Sequence, residues 1–361
     1  MRRRDLTALP FALAALQWTS PVDAAAAGRK RAPARARSEV PDIYYAERAD
    51  AMQLADEIAA RNRLDRGWTR DMIGQARFLP NVPPLMRPRG GGGGRRNWQA
   101  YRRRFVEPIR IGAGVDFWRS QADTLARAQR DFGVPPEIIV GIIGVETIYG
   151  RIMGNFRVLD ALATLAFDFP TEHPRADQRT AYFRGELESF LTAARRRGDS
   201  PLQPLGSYAG ASGMPQFMPT SIDKYAVDYD GDGHIDLTGS AVDAIGSVAS
   251  YFKGHGWQAG MPSVFPVDVD ESRGRLDVLL APDIVPSFSA DSFSAAGAQL
   301  PPEAQRFGGL LALIELQNGS APTTWLAGTQ NFYVITRYNW SSFYAMSVLE
   351  LGQAVRAELG A

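Results

Sequence analysis

The stretch Asp228-Tyr-Asp230-Gly-Asp232-Gly-His234-Ile-Asp236 constrains this chain more than any other. Carboxylates at the first, third and fifth positions, a glycine at the sixth and a carboxylate at the ninth suit neither helix nor strand. They suit a tight loop that wraps oxygens around Ca2+. Asp228, Asp230 and Asp232 would give side-chain oxygens, His234 its backbone carbonyl, and Asp236 a contact through water. The twelfth position, where a glutamate ordinarily closes such a loop, holds Gly239. Asp243, at the start of the next expected helix, is the acid that can take its place. A cation here would be structural rather than catalytic. The bland alternative is a surface turn rich in Asp and Gly.

Composition narrows the rest. The chain has 361 residues, 45% hydrophobic and 22% charged, which is room for one large or two ordinary globular domains. A formal net charge of only +1 argues against a dedicated nucleic-acid binder. Cysteine is absent, so there is no disulfide, no thiolate nucleophile and no Cys-ligated zinc. His173, His234 and His255 are scattered and form no HExxH pattern, which disfavours zinc hydrolysis. The start of the chain reads as an export signal over 1–27: Met1 to Arg4 is basic, 6–16 is a short apolar run, and small residues follow at 24–27. The run is too short to span a bilayer, and a disordered basic tail is the alternative. Residues 28–40 read as a flexible leader.

Hydrophobic periodicity predicts a mainly α (α+β) chain, with helices over 46–63, 68–78, 115–132, from Pro135 onward, and over 158–167, 181–194, 242–252 and 340–359. The glycines at 90–94 predict a flexible surface loop. From about 262 the pattern changes to short β-prone runs at 264–269, 276–280, 286–289, 308–316 and 324–328. The expected organisation is a helical domain over 41–261, a small β-containing subdomain over 262–328, and a C-terminal segment over 329–361.

The acid that stands out for chemistry is Glu146, about 80 residues before the acidic loop. The helix opened by Pro135-Pro136-Glu137 carries Ile138, Ile139, Ile142, Val145 and Tyr149 as its apolar stripe. Glu146 follows Ile142 by four residues and Ile139 by seven, so it projects from that same face. Burial there raises a carboxyl pKa and makes a usable general acid. Gly141 and Gly144 weaken the helix by ~1 kcal/mol each, which makes sense where another backbone or a ligand comes close. The alternative is a helix-end acid paired with Arg151. The stretch 208–219 reads as a tight Gly/Ala-rich loop in which Gln216 offers both a donor and an acceptor. Asn331 to Trp340 alternates aromatic and polar groups. It reads either as a sugar-stacking face or as an aromatic core strand.

Several long motifs occur in a fixed order. Gly133-Val-Pro-Pro-Glu-Ile-Ile-Val-Gly-Ile-Ile-Gly-Val-Glu146-Thr-Ile-Tyr-Gly150 is followed by the run from Asn155 to Phe167, by Gly206-Ser-Tyr-Ala-Gly-Ala211, by the run from Asp243 to Phe252, and by Asn331 to Met346. Together they resemble the membrane-bound lytic murein transglycosylase B family from about 41 to 358. The resemblance implies a lysozyme-like helical core with a deep glycan groove. It implies Glu146 as sole catalytic acid/base, Ser207, Gln216, Tyr251, Tyr338 and Asn339 along the groove, and one structural Ca2+ held by Asp228, Asp230, Asp232, the carbonyl of His234, and Asp243. The implied partner is the glycan strand of peptidoglycan, cut between N-acetylmuramic acid and N-acetylglucosamine to leave 1,6-anhydro ends. A hydrolytic muramidase on the same fold and a non-catalytic peptidoglycan-binding protein are the rival readings. The chain departs from the family pattern in three ways. It lacks the cysteine that would carry a lipid, so a soluble periplasmic protein without a membrane anchor is expected. The spacing from Asp228 to Asp243 is one residue longer. The segment 171–178 is also longer, and no groove residue is assigned there.

Overall fold

Two helices meet at the centre of the molecule, and glycines set how closely. In this computed structural model, which describes residues 42–88, 96–270 and 275–360, the apolar helix Pro136–Thr147 lies along the C-terminal helix Ser342–Leu359. A methyl group on Gly141 would collide with the carbonyl oxygen of Val348, and one on Gly352 with the carbonyl oxygen of Glu137. The helix-weakening glycine at 141 is thus explained by close approach of a second backbone. Around this pair Leu125, Ile139, Ile142, Ile143, Val348 and Leu351 are wholly buried. They form a main core with Pro108–Ser120, Ala122–Phe132 and Ala241–Gly254. Burial of such side chains stabilises the fold by ~1.5–3 kcal/mol each.

A second apolar cluster joins the N-terminal helices Ala49–Asn62 and Arg66–Gly74 to Val158–Phe167 and Ala176–Arg197. A third lies beneath an antiparallel three-stranded sheet in which Ala321–Gly328 runs between Val264–Pro266 and Ala312–Asn318, with Phe265 opposite Ala327 and Ile314 opposite Leu326. Alternation along one strand serves two cores at once. Ala312, Ile314 and Leu316 join the main core, whereas Leu311 and Leu313 join the small one. Among the described residues no helix is long and apolar enough to cross a membrane.

The structure corrects several expectations. The helix expected over 115–132 is two helices, broken at Gln121 (φ −118°, ψ 18°). The helix expected over 68–78 begins at Arg66, where Asp65 accepts a hydrogen bond from the Trp68 amide, and ends at Gly74, before Pro80. The β-prone run 276–280 is a short helix, Leu276–Leu280. The run 286–289 forms no strand and makes only an isolated bridge between Phe288 and Leu311. The aromatic segment from Asn331 is not a core strand: Gln330–Thr336 is a helix capped by the Thr329 hydroxyl, which accepts from the Asn331 amide. Its aromatic–polar alternation misleads because both neighbours of the stripe, Asn331 and Phe332, are fully buried. The signal peptide and leader expected over 1–40 and the glycines at 90–94 lie outside the described residues.

Candidate active site

Glu146 stands in the last turn of its helix, half-buried, with apolar neighbours on the helix itself. The chain beyond it reverses sharply. Ile148 (φ 51°) and Tyr149 (φ 56°) both adopt left-handed backbone, and Gly150 (φ 84°) follows. Two successive non-glycine residues in that region cost of order 1–3 kcal/mol each and persist only where the surroundings hold them. Three side chains do so. Thr147 Oγ1 donates to the Met214 carbonyl at 2.8 Å and accepts from the Gly150 amide at 3.0 Å. Arg110 Nε donates to the Gly144 carbonyl at 2.9 Å, a cation on the negative end of the helix dipole. The Tyr149 hydroxyl is wedged where a methyl on either Gly114 or Gly144 would strike it.

The partner of Glu146 is a tyrosine, not an arginine. Tyr344, at the start of the C-terminal helix and 2% exposed, donates its hydroxyl to Glu146 Oε1 at 2.5 Å. Arg151, the alternative ion-pair partner, is exposed and makes no such bond. Burial pushes the Glu146 carboxyl up to about 7 from 4.5, against a smaller opposing pull from the Tyr344 hydrogen bond. Burial first, and then the Glu146 charge, also raises Tyr101, Tyr338 and Tyr344. The acid is therefore ringed by neutral phenols. No second carboxylate among the described residues figures among the influences on it. Such a group is protonated in much of the population near neutrality, and once ionised it keeps a hydrogen-bond donor in place to receive it.

An aromatic wall extends away from this point. Tyr338 lies 6.3 Å from Tyr344 and 4.8 Å from Tyr251 between ring centroids, and Phe217 lies 5.5 Å from Tyr251. The Tyr338 hydroxyl donates to the Pro215 carbonyl at 2.6 Å and that of Tyr251 to the Arg337 carbonyl at 2.7 Å, so both rings are fixed. Gln216, at φ 51°, donates its amide to the carbonyls of Met153 and Gly213 at 3.1 and 2.9 Å. Ser207 is 3% exposed and accepts from the Ala211 amide at 3.1 Å, closing the tight turn 207–211 that precedes the turn of Gln216. Asn339 is 7% exposed and lines a cavity of about 890 Å3 beside Tyr101 and Phe343.

The acidic loop is built in the opposite manner. Ligand oxygens of Asp228, Asp230 and Asp232 converge to within 4.8 Å of one another, all on exposed side chains. The amides of Gly231 and Gly233 donate to Asp228 at 2.6 and 2.8 Å and hold its carboxyl below the ordinary range. Asp243 is buried under the loop rather than placed in that cluster. It accepts from the amides of Tyr229 at 2.7 Å and Asp236 at 2.8 Å. Asp236 is likewise engaged internally, accepting from Thr238 and Gly239. Three converging carboxylates offering hard oxygens fit Ca2+. Asp228, Asp230 and Asp232 would hold the ion, with Asp243 bracing the loop backbone beneath.

The transglycosylase SLT domain model matches residues 46–353, nearly the whole described chain. This chain belongs to that family. It is 44% identical over 322 residues to membrane-bound lytic murein transglycosylase B of Escherichia coli, covering 86% of this chain and 84% of that protein. The solved structure of the E. coli lytic transglycosylase Slt35 in complex with calcium is 41% identical and superposes with a TM-score of 0.74, covering 88% and 96% of the two chains. A more distant structure, SltB3 of Pseudomonas aeruginosa in complex with NAG-anhNAM-pentapeptide, is 27% identical with a TM-score of 0.68, covering 85% and 79%.

Within this SLT domain the sequence reading missed Tyr344 and Tyr101. Tyr344 lies 198 residues from the acid it bonds, and no local periodicity reports such a contact. A faint signal exists: Tyr344 begins the helix whose Gly352 marks a close crossing with the Glu146 helix.

Proposed function

We propose that this chain is a lytic transglycosylase that cleaves the β-1,4 bond between N-acetylmuramic acid and N-acetylglucosamine in peptidoglycan. Membership of the SLT family and the names of its relatives support the reaction class. The observation that carries the mechanism is a lone half-buried carboxyl raised to about 7, hydrogen-bonded to a tyrosine and ringed by neutral groups. Protonated Glu146 gives its proton to the glycosidic oxygen as the C1–O bond breaks, and the N-acetylglucosamine side departs as an alcohol. The neighbouring N-acetyl group of the muramyl sugar bears the developing positive charge, a substrate-assisted exception to paired-carboxylate chemistry. Ionised Glu146 then takes the proton of the C6 hydroxyl, whose oxygen bonds to C1 and closes the 1,6-anhydro ring. The acid ends protonated, as it began. Tyr344 holds the carboxylate between the two steps, and the Tyr251–Tyr338 wall with Gln216 and Asn339 receives the sugars.

Digestion of purified sacculi by the full chain tests this. The expected products carry anhydro ends, and Glu146→Gln releases none. A hydrolase would give products one water heavier, and an active Glu146→Gln protein would end the assignment. The acidic loop binds Ca2+ as a structural ion in this reading. The substrate places the protein in the periplasm, which cell fractionation checks.

A further inference from the structure

Glu186 is a second buried acid, and the glycan reaction does not use it. It lies midway along the helix Ala176–Arg197, 1% exposed, and is not among the influences on Glu146. Its oxygens reach across to another helix. Oε2 accepts from the Thr220 amide at 2.9 Å, and Oε1 accepts from the Thr220 hydroxyl at 2.7 Å. Tyr182, one turn earlier on the helix of Glu186, hydrogen-bonds the carboxyl as well. Burial raises this carboxyl, and all of these bonds pull against that rise. A buried carboxylate is costly unless donors fill its lone pairs, and here three do.

The recipient helix, Pro219–Tyr225, has a weak start of its own. Its N-cap is Met218, which makes no side-chain capping bond, and Pro219 has no N–H, so the Thr220 amide is the first orphan donor. Glu186 supplies from outside the cap that the local sequence lacks, and an anion there suits the helix dipole. What this fixes is the aromatic wall. Phe217 stands just before the helix and Tyr225 ends it. Both rings pack on Tyr251, at 5.5 and 5.0 Å between centroids. Tyr182 itself lies close enough to Tyr251 for the two phenols to interact electrostatically. The Arg196–Asp223 ion pair also joins the two helices, but it is exposed, and such pairs contribute little. We infer that Glu186 is a positioning residue for the glycan groove: through Thr220 and Tyr182 it sets where Gln216, Phe217 and Tyr251 stand when a sugar strand arrives. The inference rests on the transglycosylase reading above, in which that wall receives the sugars. The wall holds the strand and not the proton, so loss of Glu186 acts on KM and leaves kcat.

The test measures kcat and KM of the full chain on soluble peptidoglycan strands, below the melting point of every variant. Glu186→Ala should raise KM ~10-fold with kcat within about twofold of the wild type. Glu186→Gln, whose carbonyl can still accept the Thr220 amide, should bring KM back to within about threefold. An unchanged KM in Glu186→Ala overturns the inference. So does a fall in kcat as large as the rise in KM, or a glutamine variant no better than the alanine one; either marks a purely structural acid. Should Glu186→Ala fail to fold, Thr220→Val decides: it keeps the carboxylate and removes one donor, and it should raise KM about threefold, whereas no change ends the inference. If the wild type cuts no strands, the transglycosylase reading falls by itself. Calorimetry with the N-acetylglucosamine tetramer then settles the present point. A Kd ~10-fold weaker in Glu186→Ala and near wild type in Glu186→Gln upholds it, and equal Kd values, or no binding at all, end it.

Discussion

Glu146 and Asp228 carry the same functional group, and their surroundings push it in opposite directions. Glu146 is flanked by apolar side chains and phenols, with a single hydrogen bond, and its carboxyl rises to about 7. Asp228 is exposed, accepts two backbone amides in its loop, and its carboxyl falls. Desolvation decides the first and fixed N–H dipoles the second. One site stores a transferable proton, and at the other Asp228 is held toward its charged form. A proton carrier suits bond cleavage, and three converging carboxylates suit a hard cation. The two are mechanically joined: the Met214 amide donates to the Leu237 carbonyl beside the acidic loop at 2.7 Å, and the Met214 carbonyl accepts from Thr147, the residue after Glu146.

The largest expected effect falls on the proton carrier. Glu146→Gln should lower kcat on sacculi by ~10²–10⁴-fold while circular dichroism stays unchanged; a loss under tenfold would break the contrast. Calcium should act on the other site. At a free concentration of a hundred times its Kd it should stabilise the fold by ~2.7 kcal/mol, and Asp230→Asn with Asp232→Asn should abolish that gain. A thermal midpoint indifferent to calcium or chelator would remove the ion from the account.

The third prediction concerns pH. The folded-state pKa of Glu146 lies above its ordinary 4.5, so between 4.5 and about 7 the folded protein binds more protons than the unfolded chain. Stability therefore falls as pH rises through that window. Glu146→Gln removes the penalty and should melt higher than the wild type at pH 8, by up to ~3 kcal/mol, and much like it at pH 4.5. Equal midpoints at pH 8 would show that the carboxyl is not desolvated. The smallest effect belongs to Tyr344→Phe. Its hydroxyl favours the ionised acid, so removing it should move the alkaline limb of the rate profile upward by roughly one pH unit. No movement would mean that the 2.5 Å contact does not tune the acid.

Legibility in the sequence followed the range of the interactions. Glu146 was visible because the apolar spacing of Ile139 and Ile142 fixes its face, and the acidic loop because its carboxylates alternate within nine residues. The need for close approach at Gly141 was readable, but its partner, Val348, was not. The break at Gln121 escaped notice because apolar spacing continues from Trp118 to Leu125 across it. The short helix Leu276–Leu280 escaped because five residues in a β-prone setting carry no helical period. Tyr344 illustrates the general limit: its spacing from Glu146 is set by tertiary packing alone.

That spacing has a temporal side. Translation delivers Glu146 to the growing chain long before Tyr338, Asn339 and Tyr344, and the helix that presses on Gly141 comes last. A nascent or prematurely stopped polypeptide holds the acid without its tuning phenol or the neighbouring wall. Such a product has no finished cutting centre, so an activity able to dissolve the cell's own casing arrives only once the helix Ser342–Leu359 has been made.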